Sequence, residues 1–216
     1  MQYKRLDAME ATQPGFVDLI GVQRMRKAVL LVGIAICVAF LFFGTSRWRG
    51  GTHETIEWTG IALIVVAILG RTWCSLYIGG RKAATLVNTG PYSITRNPLY
   101  VFSVLGAAGA GAQLGSVVMA IVGALMASLV FLLVVRKEEH VLKAALGAPY
   151  IDYLRRVPRF LPNFWLWRDS ASLVIRPSLI IVTFFDALLF FLAIPLAEGV
   201  EYLHELDILP NLIQLP

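Results

Sequence analysis

Pro98-LYVFSVLGAAGAGAQLGSVVMAIVGALMASLVFLLV-Val135 is a run of 38 residues without one charged side chain. A helix needs about 20 apolar residues to cross the hydrocarbon core of a bilayer. The run is too long for one crossing and just long enough for two. Its middle, Gly106-Ala-Ala-Gly-Ala-Gly-Ala-Gln-Leu-Gly115, is small-residue sequence and is predicted to be the turn. Spans three and four are thus expected to form a tight helical hairpin.

Three further apolar runs flank it. Residues 28–46 carry no charge and give span one. Residues 56–78 give span two, with Glu57 at its start and Arg71 late in it. Residues 177–197 give span five, interrupted by Asp186. The fold class is all-α: a polytopic membrane protein of about five transmembrane helices. The domains read as a cytoplasmic amphipathic segment (1–27), a five-span body (28–197) and an acidic tail (198–216). Composition agrees, with 57% hydrophobic and 15% charged residues and a mean hydropathy of +0.70. A soluble domain carries about 25% charged residues.

Charge placement sets the expected orientation. The formal charge is +5, from 19 Lys and Arg against 14 Asp and Glu. Sixteen of the 19 fall in the lead, in the loop between spans two and three, and in the loop between spans four and five. Those three segments share one side of a five-span chain. Arg47, Arg49 and the acidic residues Glu198, Glu201, Glu205 and Asp207 fall on the other. Positive loops stay cytoplasmic, so the N-terminus and the basic loops are expected there, with the C-terminus opposite. No cleaved signal peptide is expected, because the first apolar run follows a long polar lead. Within that lead, Phe16, Val17, Leu19, Ile20, Val22 and Met25 suit a helix lying on the cytoplasmic leaflet. The basic residues flank apolar runs, which points to lipid and topology rather than nucleic acid. Both cysteines, Cys37 and Cys74, lie in apolar runs, so neither a disulfide framework nor a metal site is expected. The chain is short and has no inverted repeat of spans, which argues against a transporter.

Two cytoplasmic segments are richer in special residues than connectors require. Gly90-PYSITRNPL-Tyr100 opens on a turn pair and closes on Asn97-Pro98, an N-cap followed by Pro at the first helical position. A helix N-terminus there suits an anionic or hydrogen-bond-accepting group, with Arg96 supplying a fork of donors. Taken alone, the same features suit a capped helix with interfacial tyrosines. The second segment holds Glu138-Glu139, then Tyr150, Tyr153, Arg156-Val157-Pro158, Arg159 and Leu161-Pro162. Adjacent carboxylates suit hydroxyls and ammonium groups; they also suit a solvated helix end.

The two segments together resemble the isoprenylcysteine carboxyl methyltransferase family. The resemblance rests on Gly90, Tyr92, Arg96-Asn97-Pro98 and Tyr100 before a hairpin. Glu138-Glu139, Leu146-Gly147, Tyr150 with Tyr153, Arg156-Val157-Pro158 and Leu161-Pro162 follow it. It covers roughly residues 56 to 162. The family's usual His is Asn97 here, and related phosphatidylethanolamine N-methyltransferases can show Asn-Pro-x-Tyr at this point.

The resemblance implies a methyltransferase dependent on S-adenosyl-L-methionine, with its cofactor site built from membrane helices. Tyr92, Arg96, Asn97, Pro98, Leu99, Tyr100, Glu138 and Glu139 would hold the cofactor at the cytoplasmic face. The acceptor would be lipidic or prenylated and would enter between helices. Arg156 or Arg159 would position an acceptor carboxylate, which needs no base; a phospholipid amine would need one, and Glu139 is the candidate. Tyr150, Tyr153 and Asp186 complete the expected acceptor side, with Asp186 facing the bundle towards Arg71 or the acceptor path. Arg71 can alternatively snorkel to the interface. Three functions stay open: a carboxyl O-methyltransferase, a phospholipid amine N-methyltransferase, and a non-catalytic membrane protein that keeps the scaffold.

Overall fold

The computed structural model describes Leu31 and residues 44–78, 85–209 and 213–215. The expected interfacial helix, nearly all of span one and the loop cations Arg81 and Lys82 lie outside these residues. Among the described residues the architecture is all-helical apart from one short pairing of strands. Strand β1 (Gly44–Ser46) leads into helix α1 (Gly51–Ile78). Then come a single turn α2 (Pro91–Ile94), α3 (Pro98–Ala112), α4 (Val117–Leu146) and α5 (Ala148–Arg156). A 3-10 turn at Phe164–Leu166 precedes α6 (Pro177–Leu188). A second 3-10 turn joins α6 to α7 (Ala193–Glu205), and β2 (Ile213–Leu215) pairs in parallel with β1. Span one was expected to run to Ser46, but its last three residues are strand β1, so no helix there extends past residue 43.

Among the described residues, three helical stretches are long and apolar enough to cross a membrane: Gly51–Ile78, Val117–Leu146 and Pro177–Glu205. Their outward faces carry the apolar rows a bilayer would cover. Ile121, Leu125, Leu129 and Leu133 of α4 are all exposed at a spacing of four, which aligns them along one face. Helix α3 has 15 residues, about 22 Å at helical rise, short of the ~30 Å hydrocarbon core.

The small-residue stretch holds the turn only in its last three residues. Helix α3 runs through it to Ala112, and the connection to α4 is residues 113–116. Ser116 caps α4 by accepting from Met119 N–H. The glycines are close-contact points instead. A Cβ on Gly109 would lie 2.6 Å from the Gly60 carbonyl of α1, and one on Gly123 of α4 2.6 Å from the Ala107 carbonyl. Small residues let backbones of apolar helices approach, and that is why Gly and Ala concentrate here. Gln113, buried, then donates to the carbonyls of Glu57 and Gly109, tying the end of α3 to α1.

Span five also ends later than expected. The helical path continues past Ala197 through Glu198 and Glu201 to Glu205. Its contact with α1 is made by Ala187, which packs against Ile64 and Ile68. Asp186, the residue before, is exposed. The expectation that it faces the bundle is therefore corrected: one step of about 100° carries it off the packed face. Arg71 donates across to Ser103 of α3 rather than snorkelling. On the outward face of a span a carboxylate is costly, so Asp186→Asn is expected to keep or raise stability, as thermal unfolding in a lipid bilayer would read.

Candidate active site

Residues 157–169 return along the segment that leads into α3, and the two strap together antiparallel. Gly90 N–H donates to the Arg168 carbonyl (2.7 Å), Asn163 N–H to Ile94 (2.9 Å) and Arg96 N–H to Pro158 (2.9 Å). The Thr95 hydroxyl lies 3.2 and 3.1 Å from the carbonyls of Arg159 and Phe160. Asn97 was expected to cap α3 with its side chain. It does not; its amide donates to the Arg159 carbonyl at 3.1 Å, and its own carbonyl accepts from Tyr100 and Val101. Gly90 sits at φ 57°, and its missing Cβ leaves room for the Tyr77 ring.

This strap delivers two guanidinium groups to one carboxylate. Glu139, on α4, has a side chain only 7% exposed. Its Oε1 accepts from Arg96 Nη1 at 2.8 Å and from Arg159 Nε at 3.2 Å; Oε2 accepts from Arg159 Nη2 at 2.7 Å. Arg96 is further fixed by donating Nε–H to the Val157 carbonyl. The bond to Glu139 raises the Arg159 pKa further above its usual range. So Arg96, Glu139 and Arg159, three residues singled out from sequence, meet at one point.

Tyr100 and Glu138 form the neighbouring pair, with the phenol donating to Oε2 at 2.9 Å and its ring stacked on Phe131. Tyr92 is buried beside them. Its carbonyl accepts from the Tyr153 phenol at 2.8 Å, but its own hydroxyl is buried without a hydrogen-bond partner among the described residues. Burial first, then the neighbouring Cys74, Tyr153, Tyr100 and Glu138, hold that phenol well above its ordinary pKa. It is neutral at physiological pH and offers a donor. Pro98 is fully buried, and Leu99 packs against the Cys74–Tyr77–Tyr92 cluster.

Other expected residues have different places. Tyr150 and Tyr153 are buried with Val157 in a packed cluster, and burial raises both phenols. Arg156 is exposed, and its Nε lies 3.4 Å from the Asp152 carbonyl one turn back. It lines a cleft of about 670 Å³ together with Arg96, Arg155, Leu161, Phe164 and Trp165. One wall of that cleft is cationic. The other is apolar and solvent-facing, with Trp165 98% exposed. The sequence reading did not single out Phe164 and Trp165; an aromatic pair after a Pro, beside arginines, is the signal that was present. It also did not weigh His53, which the structure brings together with Glu57 and Glu201 at the other end of α1.

A sequence model of the phospholipid methyltransferase family matches residues 55–148. The chain is similar to the cobalt-zinc-cadmium resistance protein CzcN of Cupriavidus metallidurans. They are 35% identical over 193 residues, 89% of each chain. It is also similar to the nickel-cobalt-cadmium resistance protein NccN of Alcaligenes xylosoxydans xylosoxydans, at 32% over 200 residues, 89% of this chain and 91% of the relative. No solved structure matches.

Proposed function

The chain belongs to one family with CzcN and NccN and carries a phospholipid methyltransferase domain; on that premise we propose that it is a membrane methyltransferase that uses S-adenosyl-L-methionine to methylate a lipidic acceptor. The observation that carries this reading is the partnerless Tyr92 hydroxyl, buried beside Tyr100 and Glu138. A buried polar group without a partner costs roughly 1–3 kcal/mol. That cost is recovered when a ligand supplies the acceptor. The groups near it suit the cofactor: Glu138 for its cationic and hydroxyl groups, and Arg96, which also holds Glu139, for its carboxylate. When bound, the cofactor supplies an activated methyl group.

The chain's own residues then divide the work. Arg96, Glu139 and Arg159 lock the α3 start to the strap, so that Tyr92, Tyr100 and Glu138 are held in fixed relation. Arg155 and Arg156, at the mouth of the apolar cleft, draw the anionic group of an amphiphile. Holding two reactants in line contributes on the order of 7–11 kcal/mol to such a transfer. Glu139 is engaged by two guanidinium groups and is poorly placed to take a proton from an ammonium. This favours an acceptor that needs no deprotonation, a carboxylate, as in isoprenylcysteine O-methylation. The second reading, a phospholipid amine, would use the half-buried Glu138 as base.

Incubation of purified protein with methyl-labelled cofactor, total lipid extract and a farnesylcysteine analogue separates these. Base-labile label in the analogue supports the first reading, and stable label in phospholipid the second. Calorimetry in which the wild-type protein takes up no S-adenosyl-L-methionine would sink both. Arg156→Ala is expected to raise the acceptor KM about tenfold with unchanged cofactor affinity, because Arg156 is exposed and outside the Glu139 clamp. From the names of its two relatives we also extend to this chain a part in metal resistance. Cells lacking it should stop growing at lower cobalt, zinc or cadmium concentration, and a Glu138→Ala copy should fail to restore them.

A further inference from the structure

The end of α1 remote from the strap carries a second cluster of chemistry-bearing residues. From residue 53 to residue 77 is about 36 Å along the helix. His53 and Glu57 stand one turn apart on α1, and Glu201 faces them from α7. His53 Nε2 lies 3.1 Å from Glu57 Oε1 and 3.7 Å from Glu201 Oε1, and the three donor atoms all fall within 4.8 Å of one another. In a tetrahedral site with bonds of 2.0–2.1 Å, neighbouring donors are about 3.3 Å apart. The observed separations bracket that value.

The imidazole is held for this role. Gly115, at φ 60°, lies against the ring so closely that a Cβ there would overlap Nδ1 and Cε1. The Ser46 hydroxyl donates to the Gly115 carbonyl at 2.8 Å and fixes that turn. The Nδ1 edge is thus covered, and Nε2 is left towards the carboxylates.

A separate observation comes from α7. His204 is three residues beyond Glu201, on the same side of the helix, and is only 7% exposed. Its Nδ1 lies 2.9 Å from the Val200 carbonyl. A carbonyl only accepts, so Nδ1 carries the proton and Nε2 presents a lone pair. That Nε2 is buried and has no hydrogen-bond partner among the described residues. His204 is not one of the three residues whose donor atoms lie within 4.8 Å of one another; it leaves an unpaired imidazole nitrogen on the same side of α7 as Glu201.

We propose that His53, Glu57 and Glu201 bind a divalent transition-metal ion between α1 and α7. Two carboxylates neutralise a 2+ charge, and imidazole nitrogens favour zinc, cobalt or nickel over magnesium or calcium. The site is separate from the strap, and its occupancy does not depend on methyl transfer. Tag-free, detergent-purified protein would be titrated with Zn²⁺ by calorimetry and with Co²⁺ by visible absorption. The expected result is one ion per chain. Glu201→Gln and His53→Ala should each weaken binding at least tenfold and reduce the Co²⁺ d–d bands, while cofactor affinity stays unchanged. Glu201 is 55% exposed, so its variant folds even where His53→Ala does not. Glu138→Ala should lose cofactor affinity and bind metal as the wild type does, so the two sites fail independently. Wild-type protein that takes up no Zn²⁺ beyond the amount held by the Glu201→Gln variant would overturn the proposal.

Discussion

Glu139→Ala is expected to lower the unfolding free energy by about 3 kcal/mol and to abolish cofactor uptake. Removing one partner from a buried ion pair costs roughly 3–5 kcal/mol, because the remaining charge is left without compensation. Here two guanidinium groups are left. Arg159 is 37% exposed and recovers part of its hydration, which places the expected value at the low end. Arg96 cannot follow it. Its side chain donates to the Val157 carbonyl and its backbone to Pro158, so it stays fixed beside the gap. The strap between residues 157–169 and the α3 start then loses its charged fastening, and Tyr92, Tyr100 and Glu138 lose their fixed relation. In a chain of this size, a loss of that magnitude moves the thermal midpoint by about 6–12 °C. Glu139→Gln, which keeps an acceptor oxygen, should fall between. An unchanged midpoint for Glu139→Ala in detergent would show that the clamp holds nothing together.

The helices were legible in the sequence where apolar length alone decides them. The C-terminal end of α1 matches residues 56–78, but the helix begins at Gly51, and α4 continues past the charge-free run from Val135 to Leu146. The turn was expected over the whole Gly106–Gly115 stretch and takes up only its end, because Gly and Ala signal two things. In water they mark a chain break; between apolar helices they mark contact. Gly60 and Gly109 are the difference, and their contact is between residues 49 apart in sequence. Asp186 was misplaced for a related reason. Cost in a membrane argues that a carboxylate is buried or paired, but the packed face of α6 is set by Ala187 against Ile64 and Ile68.

The site was legible as a set of residues and not as an arrangement. Arg96, Glu139 and Arg159 stood out by type, and the structure brings all three together. Their roles could not be read from spacing. Glu139 looked like a free carboxylate at a helix mouth because nothing local reveals that residues 157–160 turn back across Arg96. Asn97 looked like a cap because the signal for capping is local, whereas its partner, the Arg159 carbonyl, is 62 residues away.

Tyr92→Phe is expected to stabilise the protein and weaken its cofactor binding together. Most deletions of a buried hydroxyl destabilise, because they break a hydrogen bond. This hydroxyl has no partner among the described residues, so phenylalanine keeps the ring packing against Cys74 and Tyr77 and removes only an unsatisfied dipole. The gain is about 1 kcal/mol, the lower part of the cost of an unmade buried hydrogen bond. If the missing partner belongs to the cofactor, the same change deletes one hydrogen bond from the complex and lowers affinity about tenfold, since a factor of ten is about 1.4 kcal/mol. The two effects have opposite signs, so no general loss of fold imitates them. Tyr153→Phe is the control. It removes the donor to the Tyr92 carbonyl and should lower stability and affinity in the same direction. Equal affinity of the Tyr92→Phe variant and the wild type for S-adenosyl-L-methionine, at raised stability, would mean that the orphaned hydroxyl faces no ligand. The cofactor would then have to lie elsewhere along Tyr100 and Glu138.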